Sequence, residues 1–253
     1  MIAAARLTIS IVSHGQRDMV SLLLADIARV CHGDIEIIVT LNIPEPDPVP
    51  EGVGPHPIRY IRNALPKGFG ANHNAAVRAA SGEFYCVLNP DVRLIDDPFP
   101  ALVAHLREPW APAALPLGVI APRVVDAAGR EQDSLRRFPT LGSLLRKALT
   151  RQLRADFAAG EGGLAHPDWV AGMFMLFRTD LYQQMGGFDE RYFLYYEDVD
   201  LCLRLRRAGY AVLYSSEVSI IHDSQRASWK KPRYALIHAS SMLRYLRRRH
   251  LGF

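Results

Sequence analysis

Two short runs, LTISIVS over residues 7–13 and IEIIVTL over residues 35–41, restrict the possible folds of this chain more than any other feature. Both are rich in β-branched and apolar residues, the signature of buried strands. Between them Val20, Leu23, Leu24, Ile27 and Cys31 recur at i, i+3, i+4, i+7 and i+11, the stripe of an amphipathic helix. A buried strand, a helix and a second buried strand make an α/β unit, and the pattern then repeats.

Residues 44–57 hold six prolines and must be an extended loop, after which Ile58 to Ile61 is a short third strand. KGFGANHNAAVRAASG gives a glycine turn, a small-residue helix and a stop at Gly82, and Phe84 to Leu88 is a fourth strand ending at Asn89. Strands alternating with helices imply a mainly parallel sheet with helices on both faces. Ligands of such sheets gather outside the carboxyl ends of the strands, which places His14, Asn42 and Asn89 to Asp91 around one crevice. Val119 to Val125 and Trp169 to Phe177 read as further strands, with a helical stretch near Leu141 to Leu153 between them. No repeat or linker interrupts the chain, so the second half is expected to complete the same sheet and wall the crevice.

Composition excludes several classes. At 253 residues, 49% hydrophobic and 22% charged, the chain can bury a core and is no disordered interactor. Three widely separated cysteines, Cys31, Cys86 and Cys202, suit neither a disulfide framework nor a cysteine zinc site, and point to a reducing cytoplasm. The opening MIAAARLTISIVSHG lacks the organisation of a signal peptide, and the longest uncharged stretch, residues 109–122, carries four prolines and is too short to span a bilayer. The net charge of +4 is uneven, with Arg244, Arg247, Arg248 and Arg249 crowding the end behind Lys230, Lys231 and Arg233.

Four stretches hold chemistry-bearing side chains. In VLNPDV, Asp91 stands two residues past a strand, either closing an Asx turn or binding a hard divalent cation. KGFGANHN departs from the dinucleotide fingerprint at His73, yet glycines at a helix start can either admit a phosphate to the backbone amides or serve only as a flexible turn. In YYEDVDLCLR, Glu197, Asp198 and Asp200 open a helix that closes on Arg204, Arg206 and Arg207, a polarity the helix dipole favours by itself. The aromatic run from Tyr192 to Tyr196 leads directly onto these acids and would desolvate one of them into a usable general base. His222 ends a strand in SIIHDSQRAS, as a hydrogen-bonded rim residue or within reach of a metal held by Asp91.

Taken in order, SIVSHG, LN, GFGANHN, LNPDV, WVAGMFMLFR, GGFDERYFLYYEDVDLCLRLRRAGY and IIH resemble the inverting family 2 glycosyltransferases of GT-A fold, and within them the rhamnosyltransferase-like branch that builds bacterial surface polysaccharides. The resemblance runs from about Leu7 to Ser228 and is most specific from Gly186 to Tyr210. It implies a Rossmann-like, mainly parallel central sheet with an acceptor-side subregion: a GT-A domain over residues 1–228, its donor half about 1–125 and its acceptor half about 126–228, and a basic helical tail over 229–253. It also implies a nucleotide-sugar donor, dTDP- or UDP-linked, and a divalent cation, magnesium or manganese, bridging its diphosphate. Asn89 and Asp91 match the Asp-x-Asp metal motif with its first aspartate replaced, which leaves the metal contact to Asp91, and His222 matches a histidine that completes it. Ser13, His14, Asn42, Asn63, Gly68, Gly70, Asn74, Asn89 and Asp91 fall to the donor, and Arg137, Trp169, Gly172 and Tyr196 to the acceptor. Glu197 and Asp198 match the acid pair, with Asp198 the expected base.

Where the family usually has an Asp-Asn pair after the second strand, Leu41 precedes Asn42, so recognition of the nucleotide base must differ. Displacing a nucleoside diphosphate needs charge neutralised on the leaving group and a base for the incoming hydroxyl, and nothing calls for a covalent intermediate, so inversion is expected. The resemblance implies a saccharide or a polyprenyl-diphosphate-linked sugar as acceptor, and the arginines of QDSLRRFPT could clamp a lipid diphosphate. The tail RYALIHASSMLRYLRRRHLGF suits an anionic surface at the cytoplasmic face of the inner membrane as well as it suits a plain surface helix. The rival readings are a glycoside hydrolase, which needs no strand-end metal aspartate, and a non-catalytic sugar-nucleotide-binding or regulatory module with a decayed donor site, kept alive by Leu41 and Asn89. Nucleic-acid binding has no aromatic platform to support it.

Overall fold

A computed structural model describes residues 6–49, 54–107, 115–143, 163–222 and 232–251. Most of the helical stretch expected over Leu141 to Leu153, the basic pair Lys230 and Lys231, and part of the proline-rich run at 109–122 lie outside the described residues.

In chain order the elements are β1 (Leu7–Ser13), α1 (Arg17–Val30), β2 (Ile35–Leu41), β3 (Ile58–Arg62), α2 (Phe69–Val77), β4 (Phe84–Leu88), β5 (Val92–Arg93) and α3 (Phe99–Arg107). There follow β6 (Leu117–Val125), β7 (Leu135–Arg136), β8 (Leu164–Ala165), β9 (Trp169–Val170), β10 (Phe174–Arg178), α4 (Thr179–Gln184), α5 (Glu197–Arg207), β11 (Ala211–His222) and α6 (Pro232–Leu251). Among the described residues one nine-stranded sheet runs β3-β2-β1-β4-β10-β6-β11-β5, with β8 beside β11. Strands β3, β2, β1 and β4 are mutually parallel, as are β6 and β11, so the sheet is mostly parallel.

Strand β10 runs against both neighbours, pairing Phe174 with Leu88 of β4 and Leu176 with Ile120 of β6. This corrects the expected single strand over Trp169 to Phe177. The run breaks at Gly172 and Met173, its first part pairs with β7 in a separate two-stranded sheet, and only its second part enters the main sheet.

Side chains alternate between two core layers with the period of two that a pleated strand imposes. Phe84, Cys86 and Leu88 of β4, with Phe174 and Leu176 of β10, join the layer under α1 and α3. Tyr85, Val87, Met175 and Phe177 join the other, which packs against α2, α4, α5 and the Tyr245 and Leu246 face of α6. On that side β1 presents Thr8 and Ser10, both fully buried and both paired: Thr8 donates to Glu36 at 2.6 Å, and Ser10 meets His73 Nδ1 at 2.8 Å. Gly82 is a packing residue rather than the helix stop expected for it, because a β-carbon there would lie 2.6 Å from the Thr8 nitrogen.

Candidate active site

The carboxyl ends of β1, β2 and β4 open into a crevice of about 540 Å³. His14, Asn42, Lys67 and Asp91 line one side, and Phe193 and Tyr195 the other.

Beneath it lies a net of amides. Asn42 Oδ1 accepts from the Lys67 backbone at 2.8 Å and from Asn63 at 3.0 Å, while its Nδ2 donates to the Lys67 carbonyl at 2.9 Å. Asn63 reaches on to Asn72 Oδ1 at 2.6 Å, and Asn72 donates to the Gly68 carbonyl at 3.0 Å. Asn42 and Asn63, expected on the donor, are therefore largely engaged in shaping the Lys67–Gly68 turn. Asn72 was not singled out from sequence, and only its spacing from the other two asparagines in the folded chain reveals its part.

Other residues expected at the donor also have partners within the chain. Ser13 is buried and accepts from the Gln16 backbone at 3.2 Å, stabilising the start of α1. A β-carbon at Gly68 would come within 2.8 Å of the Phe193 carbonyl oxygen, and one at Gly70 within 2.5 Å of Phe188 Cβ. The Phe69 amide donates to that Phe193 carbonyl at 2.9 Å, so both glycines admit the close approach of the 188–193 loop. Asn74 is spent on the same loop, bonding the Phe188 amide and carbonyl, Glu190 and the Tyr182 hydroxyl.

Asp91 and His222 come together. Asp91 Oδ2 lies 3.3 Å from His222 Nε2, and Asp91 Oδ1 is buried with no hydrogen-bond partner. A buried, unsatisfied carboxylate oxygen is costly to leave so, and beside an imidazole nitrogen it forms a donor pair suited to a hard or borderline divalent cation. Among the described residues no third His, Cys, Asp or Glu joins them. That fits magnesium or manganese held by one carboxylate and completed by phosphate and water oxygens.

The acid cluster divides by role. Asp200 is fully buried and paired with Arg204 at 2.9 Å and Arg248 at 2.8 Å, so it is a structural anion. Asp198 is partly exposed, and its Oδ2 accepts from the Gly172 amide at 3.0 Å and its Oδ1 from Val199 at 2.8 Å. Burial raises its pKa above the ordinary aspartate value, against the pull of those amides and of Arg136. Glu197 is buried with Oε2 unpartnered, and burial followed by the Asp198 charge pushes its pKa well up. One residue beyond Gly172, the Met173 carbonyl accepts from the Asn89 amide at 2.9 Å. A short stretch of backbone thus ties the Asp198 carboxylate to the turn that carries Asp91.

On the expected acceptor side, Arg137 is exposed and Gly172 holds Asp198. Trp169 and Tyr196 are both largely buried. Trp169 is buried under the Arg136 guanidinium with its indole nitrogen on the Arg137 carbonyl at 3.1 Å, and Tyr196 is buried against Tyr245 and His238.

A sequence profile described as glycosyltransferase like family 2 matches residues 5–236. The chain belongs to this family. Among relatives of this family 2 chain, the rhamnosyltransferase WbbL of Escherichia coli (strain K12) is 30% identical over 268 residues, covering 96% of this chain and 93% of that protein. An N-acetylglucosaminyl-diphospho-decaprenol L-rhamnosyltransferase of Mycobacterium tuberculosis is 30% identical over 184 residues, 68% of this chain and 57% of that one. The family 2 chain therefore spans nearly the whole of the first relative and little over half of the second. In structure it is similar to the mannosyltransferase PcManGT from Pyrobaculum calidifontis in complex with GDP-Man and Mn2+, with a TM-score of 0.60 at 14% identity over 96% of this chain and 65% of that one. The match to GalNAc-T7 with UDP, GalNAc and Mn2+ has a TM-score of 0.62 at 12% identity over 88% of this chain and 44% of that one. These likenesses establish the GT-A fold.

Proposed function

We propose that the chain is an inverting glycosyltransferase of bacterial surface glycan synthesis, moving rhamnose from a dTDP- or UDP-linked donor to a sugar carried on a polyprenyl diphosphate. The observation that carries this reading is the backbone tie from Asp198 through Gly172 and Met173 to the Asn89–Asp91 turn, which supports reading Asp198 as the base and Asp91 with His222 as the cation site of one centre. The names of the two rhamnosyltransferase relatives support the sugar, and that of the mycobacterial one the lipid-linked acceptor.

In this reading residues 1–125 serve the donor and 126–228 the acceptor. Asp91 and His222 hold a magnesium or manganese ion, which when bound offsets the negative charge gathering on the departing diphosphate. Lys67, exposed at the crevice mouth, adds a second positive charge toward the same group. Asp198 takes the proton of the acceptor hydroxyl, and the amides of Gly172 and Val199 fix the carboxylate's direction. Glu197, whose burial pushes its pKa well up, backs the base with a carboxyl group disfavoured as an anion. A direct displacement between two such walls inverts the anomeric centre.

The exposed face of α6 carries Leu236, Leu243 and Leu251 with Arg233 and Arg247, and we assign it to the anionic membrane that bears the lipid acceptor. Tyr234, in its first turn, lines the crevice, so α6 starts beside the site while its leucine face points elsewhere. The test is incubation of the purified chain with dTDP-rhamnose, manganese and a polyprenyl diphosphate carrying N-acetylglucosamine. A rhamnosylated product of inverted anomeric configuration by NMR is expected. A product of retained configuration would overturn the mechanism, and no product from dTDP- or UDP-linked donors would overturn the assignment.

A further inference from the structure

Gln132 lies on the return from the turn that follows β6, where its amide donates to the Val124 carbonyl at 2.9 Å. Both ends of its side chain grip one residue: Nε2 donates to the His222 carbonyl at 2.7 Å, and Oε1 lies 2.8 Å from His222 Nδ1. A backbone carbonyl can only accept, so the amide has one permitted orientation, with its NH2 on the carbonyl and its oxygen on the ring. That oxygen can only accept in turn, so Nδ1 must carry the hydrogen. Nε2, 3.3 Å from Asp91 Oδ2, is left as the nitrogen that faces the carboxylate.

We propose that Gln132 is a positioning residue of the divalent-cation site, selecting the His222 tautomer and ring orientation that present the Nε2 lone pair beside Asp91. This rests on reading Asp91 and His222 as that site. Groups that fix the second ring nitrogen of a metal-ligating histidine alter metal affinity by about 10- to 100-fold. The bidentate grip also fastens the end of β11 to the loop after β6, so the ring does not turn when the crevice fills.

The experiment compares wild type, Gln132→Met and Gln132→Glu by electron paramagnetic resonance titration of manganese(II) in the presence of UDP or dTDP. Methionine keeps the length but neither hydrogen bond, whereas glutamate keeps an acceptor opposite Nδ1. Gln132→Met is expected to weaken manganese binding about tenfold with metal-free nucleotide affinity unchanged, and Gln132→Glu to restore most of the loss. Long-range 1H–15N NMR, with the His222 signals identified by their absence in His222→Gln, should show the Nδ1–H tautomer in wild type and its loss in Gln132→Met. A methionine variant that binds manganese as wild type does, or keeps the Nδ1–H tautomer, would overturn the proposal and leave the cation site standing. Wild type that binds no manganese with either nucleotide would bring down both.

Discussion

At the scale of single residues the acid cluster is three carboxylates in three electrostatic situations. Asp200 is neutralised by two arginines, Glu197 is buried with its Oε2 unpartnered, and Asp198 alone is partly open with two amides aiming it. Replacing Asp198 by Asn should lower kcat by about 10²- to 10⁴-fold, with donor affinity by calorimetry nearly unchanged; full turnover would refute the base assignment. Because burial raises the Asp198 pKa, the acid limb of the kcat/KM profile should sit above the ordinary aspartate value of about 3.9. For Glu197 the native state binds the proton more tightly than the unfolded chain does. Its contribution is complete below about pH 4.3 and lost as pH rises through the native pKa. Glu197→Gln should therefore unfold with wild type at acid pH and at higher temperature than wild type at alkaline pH, which calorimetry across pH will show. Much of this was legible in sequence, since the spacing of Asp200 and Arg204 already marks a structural pair and Asp91 stands past a strand end. The partner of Asp200 at Arg248 and the grip of Gln132 on His222 were not, because contacts between distant segments leave no periodicity behind.

At the scale of elements, α6 fastens the helix that carries the acids. Arg248 bridges Asp200 and Asp189, Tyr245 stacks near Tyr196, and Ser241 donates to the Leu194 carbonyl at 2.9 Å. The segment they hold contains Tyr195 and Tyr196, both at φ 69°. Two left-handed non-glycine residues cost about 2–4 kcal/mol together, whereas burial of Tyr245 and Leu246 of α6 contributes about 3–6 kcal/mol, so packing against α6 is enough to maintain the bend. Removing Arg248 by Arg248→Ala should destabilise the fold by about 2 kcal/mol in urea unfolding, below the usual figure for a broken buried pair because Arg204 stays on Asp200. Strands β1, β2 and β4 were readable to the residue because both faces are buried and the runs end in polar turns. The antiparallel course of β10 was not, since hydrophobic pattern carries no direction, and α4, at six residues, is too short to show a helical period.

At the scale of the whole molecule α6 starts beside the crevice, which its first-turn Tyr234 lines, and exposes Leu236, Leu243 and Leu251 along its length. Among the described residues no helix is long and apolar enough to cross a membrane, and the proposed reading assigns bilayer contact to the exposed face of α6. The chain should sediment with phosphatidylglycerol vesicles at low salt and be released as salt rises past the range where the Debye length falls below about 10 Å. Leu236→Glu with Leu243→Glu should weaken that binding at least about tenfold, given about 1.5 kcal/mol or more per leucine lost from an apolar environment. Equal binding by the double variant would remove the membrane from the account.

The pairing of Phe174 with Leu88 places Met173 opposite Asn89, and Gly172 next to it holds Asp198. The span from the Asp198 carboxylate to the Asn89–Asp91 turn is thereby set by the register of β10 on β4 and by the two hydrogen bonds beside it. Insertions and deletions in the surrounding loops can re-cut the shape presented to sugar and lipid while that span stays fixed. A lineage of such enzymes could change partners freely without having to rediscover how to react with them.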